Sequence, residues 1–226
     1  MNFHFVSIFP EIYQSFLNTS IIWKAIDKKL INVNISNPRD YTEDKHRQVD
    51  DEIYWYWAWM LLKAKPYIDC VNDIIKYIWH NKFKIIYLSP SNKIWNQKLV
   101  KSYSEIYSDF ILVSWRYEWI DFRFEQYLND YYPYNFEKIS IWKFIMMWWE
   151  VPSMLIMESL ARLKTWVIKE DASIINESYS PEKNLDNLEH PHYTRPYEVY
   201  WYKVPDILLS WNHQEIDKWR DNNSKV

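Results

Sequence analysis

The 226-residue chain contains no glycine, although average usage predicts about fifteen in a chain of this length. Glycine supplies the left-handed backbone of many tight turns and lets a ligand approach the main chain closely. The chain therefore lacks the residue on which such loops usually depend. It contains 15 tryptophans instead, and three of them fall within one segment, IYWYWAWM, at residues 53–60.

Other features are scarce as well. Cys70 is the single cysteine, which excludes an intramolecular disulfide and favours a reducing compartment. The net charge of −3 creates no overall attraction to nucleic acid, so any such contact must be local.

The N-terminus lacks the basic and apolar segments of a signal peptide. The most apolar run, residues 139–157, is interrupted by Lys143, Glu150 and Pro152, which argues against a membrane span. We therefore expect a soluble, cytoplasmic protein with no membrane partner.

Short β-branched segments alternate with helical patterns along most of the chain. The predicted strands lie at residues 3–9, 31–36, 83–89, 110–114 and 136–142, and the predicted helices at 11–17, 20–30, 66–79, 96–107, 121–131 and 151–164. This alternation predicts an α/β fold with a mostly parallel sheet. Ligands of such sheets bind to the loops beyond the carboxyl ends of the strands. These loops are predicted at residues 89–90, 115–119 and 142–149.

The remaining segments have weaker patterns. Residues 37–65 are polar with little periodicity, so we predict a loop-rich region there. Residues 165–188 are rich in Lys, Glu, Asn, Asp and Ser and are predicted to form a linker. We therefore expect an α/β domain at 1–164, a flexible linker at 165–188 and a short, mainly helical C-terminal domain at 189–226.

Eight phrases in this sequence occur together in a characteristic order. They are FPEIY (9–13), NPRDYTEDKHRQVDDEIY (37–54), IIYLSP (85–90), ILVSWRYEWID (111–121), SIW (140–142), WWEVP (148–152), PHYTRP (191–196) and LLSWNHQEIDKWR (208–220). In order and spacing they resemble the bacterial tRNA (guanine-N1)-methyltransferases, a family of the SPOUT class. The resemblance covers nearly the whole chain and is specific because eight phrases agree.

That family tends to have glycine where this chain has tryptophan. In the segment 53–60, which overlaps the second phrase, these positions are Trp55, Trp57 and Trp59. Within the later phrases they are Trp115, Trp119, Trp142, Trp148, Trp149 and Trp211. Outside them, Trp23, Trp166 and Trp201 also fall where the family tends to have glycine, and Trp79 is predicted at a helix C-cap. Trp95 and Trp219 stand where an apolar or aromatic residue is expected.

Two interpretations of this pattern are open. Either the protein carries tryptophan at these positions, or a codon that specifies glycine in the source has been read as tryptophan. The second is favoured because a bulky residue with positive φ is an outlier. A dozen such residues would exceed the usual stability of about 5–15 kcal/mol. The abundance of Lys, Ile, Asn and Tyr, typical of an AT-rich coding sequence, agrees with it.

The resemblance implies a reaction, a topology and partners. The family transfers the methyl group of S-adenosylmethionine to N1 of guanosine 37 in tRNA, next to the anticodon. Its α/β domain ends in a deep trefoil knot, and its active site spans a homodimer interface. The expected partners are therefore tRNA and a second copy of the chain, and the expected cofactor is S-adenosylmethionine, with Mg²⁺ as an additional candidate. We expect no metal site in the protein, because the His190-His192 pair has no third ligand nearby.

The resemblance also assigns site residues. Those implied to hold the cofactor are Tyr87, Leu88, Ser89, Pro90, Trp115, Tyr117, Glu118, Ile141, Trp142, Phe144, Met146, Trp148, Trp149 and Pro152. Lys143 departs from the family, which usually has Asp there. Those implied to contact tRNA are Arg39, Asp40, His46, Arg47, Asp50, Asp51, Tyr54, His192, Tyr193, Arg195, Asn212, His213 and Arg220.

N1 of guanine carries a proton at neutral pH, so its methylation requires a base. The resemblance assigns this role to Glu177, where the family has Asp, with Glu170 and Asp171 as alternatives. It assigns Arg162 to the charge that develops on O6. The plainer interpretations are a solvated linker carboxylate and a surface arginine on a helix.

Three other functions remain open from the sequence. The chain could be a different SPOUT RNA methyltransferase, although the PRDYTEDKHRQVDD phrase argues against it. It could be a binding protein in which tryptophans stack on sugars or single-stranded RNA, which predicts tryptophan on the exposed faces of strands. It could also be inactive or misfolded if the tryptophans at glycine positions are real.

Overall fold

The structure is a computed structural model that describes residues 1–55, 60–116, 119–168, 177–179 and 188–224. The chain divides into two compact units, Met1–Lys169 and Glu170–Val226.

The strands of the first unit are β1 (Asn2–Val6), β2 (Asn32–Ser36), β3 (Asp50–Glu52), β4 (Met60–Leu62), β5 (Phe83–Leu88), β6 (Asp109–Val113) and β7 (Phe136–Ile139). Five of them form a sheet in which every neighbouring pair is parallel, with the order β2-β1-β6-β5-β7, and β3 and β4 form a separate antiparallel hairpin. The predicted α/β fold with a mostly parallel sheet is confirmed.

Helices alternate with these strands. They are α1 (Gln14–Leu17), α2 (Ser20–Asp27), α3 (Ala64–Lys76), α4 (Gln97–Ile106), α5 (Arg123–Tyr131) and α6 (Glu150–Arg162), with 3-10 helices at Pro10–Tyr13 and Pro38–Tyr41. Asn96 caps α4, because its side chain accepts a hydrogen bond from the backbone N–H of Leu99 at 3.0 Å. Cys70 is fully buried in α3, and burial raises the pKa of its thiol to about 12, so it behaves as a small core residue.

The core lies on both faces of the central strands. Every residue of β5 and of β6 is buried, as expected for parallel strands covered by helices on both sides. In the register, Phe5 of β1 pairs with Leu112 of β6, and Ile111 of β6 pairs with Ile85 of β5. The continuous apolar runs FKIIYL and DFILV therefore form the centre of the unit.

Several predicted boundaries differ from the structure. The first strand ends at Val6, and the helix predicted at 11–17 begins as a 3-10 helix. The last strand of the sheet ends at Ile139, because the Ser140 N–H bonds to the Lys93 carbonyl and the Ser140 hydroxyl donates to the Trp142 carbonyl. The C-cap prediction for Trp79 is wrong, since α3 ends at Lys76.

The second unit is small and largely exposed. It contains a two-stranded hairpin, β8 (Glu198–Val199) and β9 (Tyr202–Lys203), a 3-10 helix at Asp206–Leu209, and α7 (His213–Asn223). Among the helices that the structure describes, none is long and apolar enough to cross a membrane.

Candidate active site

Three neighbouring strands end at one edge of the sheet, and the loops after them lie side by side. Because β6, β5 and β7 are adjacent and parallel, their carboxyl ends meet there. The Ser89 N–H donates to the Ile139 carbonyl at 3.1 Å, and the Trp95 N–H donates to the Ser140 carbonyl at 2.8 Å. The loops after β5 and β7 are therefore joined through their backbones.

The β3–β4 hairpin is attached to the loop after β6. The Leu62 N–H donates to the Trp119 carbonyl at 2.9 Å, and the Asp121 N–H donates to the Leu62 carbonyl at 2.8 Å. These bonds hold the hairpin, and with it Asp50 and Asp51, beside the third loop of this edge.

A buried ion pair joins the loop after β6 to the start of α6. Glu150 is fully buried, and its two oxygens accept hydrogen bonds from Arg116 Nε at 3.1 and 3.2 Å. The Ser7 hydroxyl, just after β1, donates to Glu150 Oε1 at 2.8 Å. The Arg116 guanidinium lies 4.1 Å from the centroid of the Phe9 ring and 4.5 Å from that of the Trp148 ring. Arg116 is thus held by charge on one side and by aromatic faces on others.

The Tyr13 hydroxyl lies in a buried polar cluster next to this pair. It is 3.0 Å from the Ser153 hydroxyl and 3.3 Å from the Ser114 hydroxyl. Ser114 donates to the Trp149 carbonyl at 3.2 Å, and Ser153 donates to the Glu150 carbonyl at 2.6 Å. Burial raises the pKa of Tyr13, and the negative charge of Glu150 acts in the same direction. Tyr13 therefore stays protonated and serves as a hydrogen-bond donor that fixes the start of α6.

Three indoles are stacked where β5 and β6 end. The Trp115 ring centroid lies 4.9 Å from that of Trp119 and 5.0 Å from that of Trp149, with interplanar angles of 21° and 19°. Trp115 is 5% exposed and Trp149 is 2% exposed. The Trp115 indole N–H donates to the carbonyl of Leu88, the last residue of β5. The Trp149 indole N–H is buried and has no hydrogen-bond partner among the described residues.

A cavity of about 810 Å³ opens beside the hairpin. Its lining includes Asp51, Tyr54, Lys63, Asp121 and Arg123. Arg123 Nε donates to Asp121 Oδ1 at 2.9 Å, and these hydrogen bonds hold the pKa of Asp121 below its usual value. Asp51 and Tyr54 are among the residues predicted to contact tRNA, whereas Asp121 and Arg123 were not predicted as site residues. Their position just after a strand-end loop was the available signal.

The whole chain, residues 1–226, matches the family described as tRNA (Guanine-1)-methyltransferase TrmD. The chain belongs to this family. The resemblance found in the eight phrases is thereby confirmed, and the parallel sheet agrees with the SPOUT class to which the family belongs.

Its relatives carry the name tRNA (guanine-N(1)-)-methyltransferase. The protein from Clostridioides difficile (strain 630) is 37% identical over 224 residues, which are 99% of this chain and 92% of that protein. The protein from Mycoplasmopsis synoviae (strain 53) is 39% identical over 220 residues, 97% of this chain and 90% of that protein. The protein from Carboxydothermus hydrogenoformans is 38% identical over 224 residues, 99% of this chain and 83% of that protein.

A methyltransferase of this family implies S-adenosylmethionine as the methyl donor, and the strand ends fit that group only in part. Ser89 Oγ is fully buried and has no hydrogen-bond partner among the described residues, so the end of β5 offers an unused polar group. The Leu88 carbonyl beside it is occupied by the Trp115 indole, and Trp149 packs on the same ring. The backbone at the end of β5 could bind the cofactor, but the stacked indoles of Trp115 and Trp149 cover that backbone. The residues of the printed sequence therefore do not fit the cofactor.

The other predicted cofactor residues lie in or beside the same loops. The Tyr87 ring lies 5.6 Å from that of Phe124 and is buried in the core, so only its backbone belongs to the loop edge. Trp142, Phe144 and Trp148 are exposed by 62%, 51% and 47%. Pro90, Ile141 and Met146 are half-buried, and Pro152 is buried in α6. Tyr117 and Glu118 lie outside the described residues.

Three tryptophans that stand where the family tends to have glycine have a left-handed backbone. Their φ angles are 73° at Trp55, 74° at Trp166 and 58° at Trp211. All three side chains are exposed, so no packing favours an indole there. A bulky residue is rarely found in this conformation, whereas glycine adopts it freely. Trp57 and Trp59 lie outside the described residues.

The two predicted catalytic residues belong to different units. Arg162 is the last residue of α6 and is half-buried in the first unit. Glu177 lies in the second unit, in a turn described from residue 177 to 179. The alternatives Glu170 and Asp171 lie outside the described residues.

The tRNA-contact residues predicted in the first unit are mostly exposed. Arg47 Nη1 lies 3.1 Å from Asp40, and Arg39 Nη1 donates to the Arg47 carbonyl at 3.2 Å, so the segment after β2 presents two arginines held together. His46 is exposed next to them. Asp50 and Asp51 begin β3, and Tyr54 is 87% exposed.

The second unit holds the remaining predicted tRNA-contact residues. The Asn212 side chain accepts a hydrogen bond from the Glu215 N–H at 3.3 Å, so it caps α7. His192 Nε2 lies 3.2 Å from Glu189 Oε2, and the Tyr193 ring lies 6.2 Å from that of Trp219. Arg195, His213 and Arg220 are exposed. The described part of the chain contains no group of three His, Cys, Asp or Glu side chains that could bind a metal ion.

Proposed function

We propose that this protein, with glycine at the family-glycine positions printed here as tryptophan, transfers the methyl group of S-adenosylmethionine to N1 of guanosine 37 in tRNA. The observation that carries the proposal is the family match over residues 1–226. The three adjacent loops at the carboxyl edge of a parallel sheet supply a surface of the kind that the reaction needs.

The chain's own residues provide the proton chemistry. Glu177 removes the N1 proton of the guanine, because a neutral N1 that keeps its proton is a poor nucleophile. Arg162 stabilises the negative charge that spreads to O6 as that proton leaves. Arg116 and Glu150 hold the loop after β6 against α6 and act by positioning.

A homodimer would bring Arg162 to the loops. Glu150 and Arg162 are the first and last residues of α6, so they lie about 18 Å apart along its axis. Arg162 is therefore remote from the loop edge of its own chain. Ile21 and Leu155 are large apolar side chains that are 52% and 49% exposed, and a second copy would give such side chains a surface to pack against. The partner's Arg162 would then complete the site.

tRNA would bind through local charge, since the chain as a whole is slightly acidic. Arg39 and Arg47 would contact phosphates. Asp50 would accept a hydrogen bond from a base edge beside the cavity lined by Asp51 and Tyr54. The guanine must leave its stack to be methylated, and an open pocket next to the loops gives room for it. In the same scheme residues 1–164 bind the methyl donor, 165–188 link the domains and 189–226 bind tRNA.

The reaction would take place in the cytoplasm, where its tRNA substrate is processed. Mg²⁺ is proposed only as an added ion of the reaction. No protein ligand set for it lies among the described residues, and the roles given to Glu177 and Arg162 do not depend on it.

The protein purified from its own cells tests this function directly. We expect it to methylate unmodified tRNA at N1 of guanosine 37, as mapped by nuclease digestion and mass spectrometry. Methylation at another nucleotide would identify a different SPOUT enzyme. Bound methyl donor and bound tRNA without any methylation would overturn the proposal.

The base is tested by Glu177→Gln in single-turnover reactions. We expect the rate to fall about 10²–10⁴-fold with tRNA affinity unchanged, because general-base catalysis contributes factors of this size. Glu170→Gln is the matched control and should retain the rate. If the control loses the rate and Glu177→Gln retains it, the base is Glu170 and the assignment is wrong.

A further inference from the structure

At the carboxyl edge of the sheet, the side chain of Trp149 is packed at an energetic disadvantage. The Trp149 indole N–H is buried with no hydrogen-bond partner among the described residues. A buried donor left without a partner costs about 1–3 kcal/mol. Its ring nevertheless lies flat against Trp115, at 5.0 Å between centroids. A side chain selected for this place would normally have its donor satisfied.

The neighbouring indole takes a backbone group that another molecule would otherwise use. Trp115 donates its N–H to the carbonyl of Leu88 at the end of the central strand β5. Immediately next to it, Ser89 Oγ is buried and unpaired among the described residues. At this strand end the Leu88 carbonyl is therefore covered by an indole, and the Ser89 hydroxyl has no hydrogen-bond partner among the described residues.

Not all tryptophans near the loops have this effect. Trp142 and Trp148 are 62% and 47% exposed, so both remain largely in solvent, although Trp148 packs on the Arg116 guanidinium at 4.5 Å. Trp115 and Trp149, exposed by 5% and 2%, fill the space there. Trp119 stacks on Trp115 but is 39% exposed, so the space at the strand ends is filled mainly by Trp115 and Trp149.

We propose that Trp115 and Trp149 close the methyl-donor site of the chain as printed, and that the native protein carries glycine at both positions. The proposal rests on the proposed function, because it takes this edge as the donor site. The left-handed backbones of Trp55, Trp166 and Trp211 provide separate support, since they are further positions where glycine suits the structure and tryptophan does not.

Four proteins test the closure by calorimetric titration with S-adenosylmethionine and by thermal shift, without tRNA. They are the printed chain, Trp115→Gly/Trp149→Gly, the control Trp79→Gly/Trp201→Gly, and a form with glycine at all 13 family-glycine and C-cap positions. Trp79 and Trp201 are 91% and 75% exposed and lie outside the three loops. We expect tight binding by the loop double variant and by the full glycine form.

The printed chain and the control should bind about 100-fold more weakly, because only the small fraction of molecules with displaced indoles is competent. Equal binding by the printed chain and the loop double variant would overturn the proposal. So would a folded loop double variant that does not bind while the full glycine form does.

A reverse experiment decides the matter if the loop double variant fails to fold. Tryptophan is restored at positions 115 and 149 in the full glycine form, and in a matched protein it is restored at 142 and 148. We expect the first to lose binding and the second to retain it, with circular dichroism showing that both are folded. Retention of binding by the first would sink the proposal.

The native residues are read by peptide mass spectrometry of the protein from its own cells. Tryptic peptides that end at Arg116 and Arg162 contain positions 115 and 149, respectively. Glycine is expected at both, and tryptophan at either would refute the assignment. These readouts need no tRNA, so a protein that binds the donor but methylates nothing would contradict the proposed function and leave the closure intact.

Discussion

The two edges of the parallel sheet hold similar polar groups in different states of satisfaction. At the amino edge, Asp109 is 4% exposed and accepts hydrogen bonds from Asn2 Nδ2 at 2.9 Å and from the Ser108 hydroxyl at 2.8 Å. His4 Nε2 and His80 Nε2 lie 3.2 and 3.4 Å from the same carboxylate. At the carboxyl edge the carboxylate of Glu150 is equally well paired, but the donors of Ser89 and Trp149 are buried without partners in the described part of the chain.

This difference in hydrogen bonding indicates that the amino edge has a structural role and that the carboxyl edge binds a ligand. A buried polar group without a partner weakens the fold unless a ligand satisfies it. Among the described residues, the Asp109 carboxylate at the amino edge is satisfied by the chain itself, whereas the Ser89 hydroxyl at the carboxyl edge is left for a ligand to satisfy. Substitutions at the two edges should therefore differ in both size and consequence.

The largest effect is expected from breaking the charged pair at the carboxyl edge. Glu150→Gln leaves Arg116 without its counter-charge in a site where Arg116 is 14% exposed. Removing one partner of a buried pair costs about 3–5 kcal/mol, and urea denaturation would measure the loss. Glu158→Gln, on the exposed side of the same helix, should change stability by less than about 0.5 kcal/mol. Equal losses of stability in the two variants would show that the Arg116–Glu150 pair contributes no more than an exposed carboxylate.

A smaller effect is expected at the amino edge. Asp109→Asn removes the charge that several donors share, and hydrogen bonds to charged groups contribute about 1.5–3 kcal/mol. Denaturation at neutral pH would detect a loss in this range. A neutral result would mean that the cluster is held by its shape alone.

The same carboxylate gives a pH dependence. Burial acts to raise the pKa of Asp109, but hydrogen bonds from His4, Ser108 and Asn2 outweigh it and hold the pKa below its usual value. The folded-state pKa is thus below the unfolded one, so the stabilisation is present above about pH 4 and is lost as the pH falls through the lowered pKa. Stability curves of the parent protein and Asp109→Asn should therefore converge in acid. Parallel curves would contradict the assignment.

The smallest changes in stability are expected from removing one serine hydroxyl at each edge, and they should differ between the two edges. Ser108→Ala removes a donor that Asp109 uses, and we expect a loss of about 1 kcal/mol. Ser89→Ala removes a buried hydroxyl that has no partner among the described residues, so stability should change by less than about 0.5 kcal/mol or rise. In the full glycine form, Ser89→Ala should instead weaken the binding of S-adenosylmethionine. A large stability loss at Ser89 would assign it a structural role.

The parallel sheet could be predicted because its signal is local. The runs around Ile85 and Ile111 are apolar on both faces, and only a strand covered on both sides needs that. The β3–β4 hairpin was missed because its strands have three residues each and are held by the distant Trp119 and Asp121. Pairing over such a separation leaves no periodicity in the sequence.

The part of the candidate site that could be predicted from the sequence also has a local signal. The loops after β5, β6 and β7 follow from strand order, and the phrases point to their residues. The Glu150–Arg116–Ser7 cluster joins positions up to 143 residues apart, and no spacing in the sequence indicates it. The positive φ of Trp55, Trp166 and Trp211 also belongs to the folded backbone, although the resemblance had marked all three as positions where the family tends to have glycine.

The stack of Trp119, Trp115 and Trp149 has an optical consequence. Indoles held at 4.9 and 5.0 Å in nearly parallel planes couple their electronic transitions. A folded protein that contains them should show circular dichroism and fluorescence that differ from those of isolated indoles. With glycine at the family-glycine positions and at Trp79, only Trp95 and Trp219 would remain as emitters. The spectrum of the intact protein would then report which amino acid the ribosome inserted.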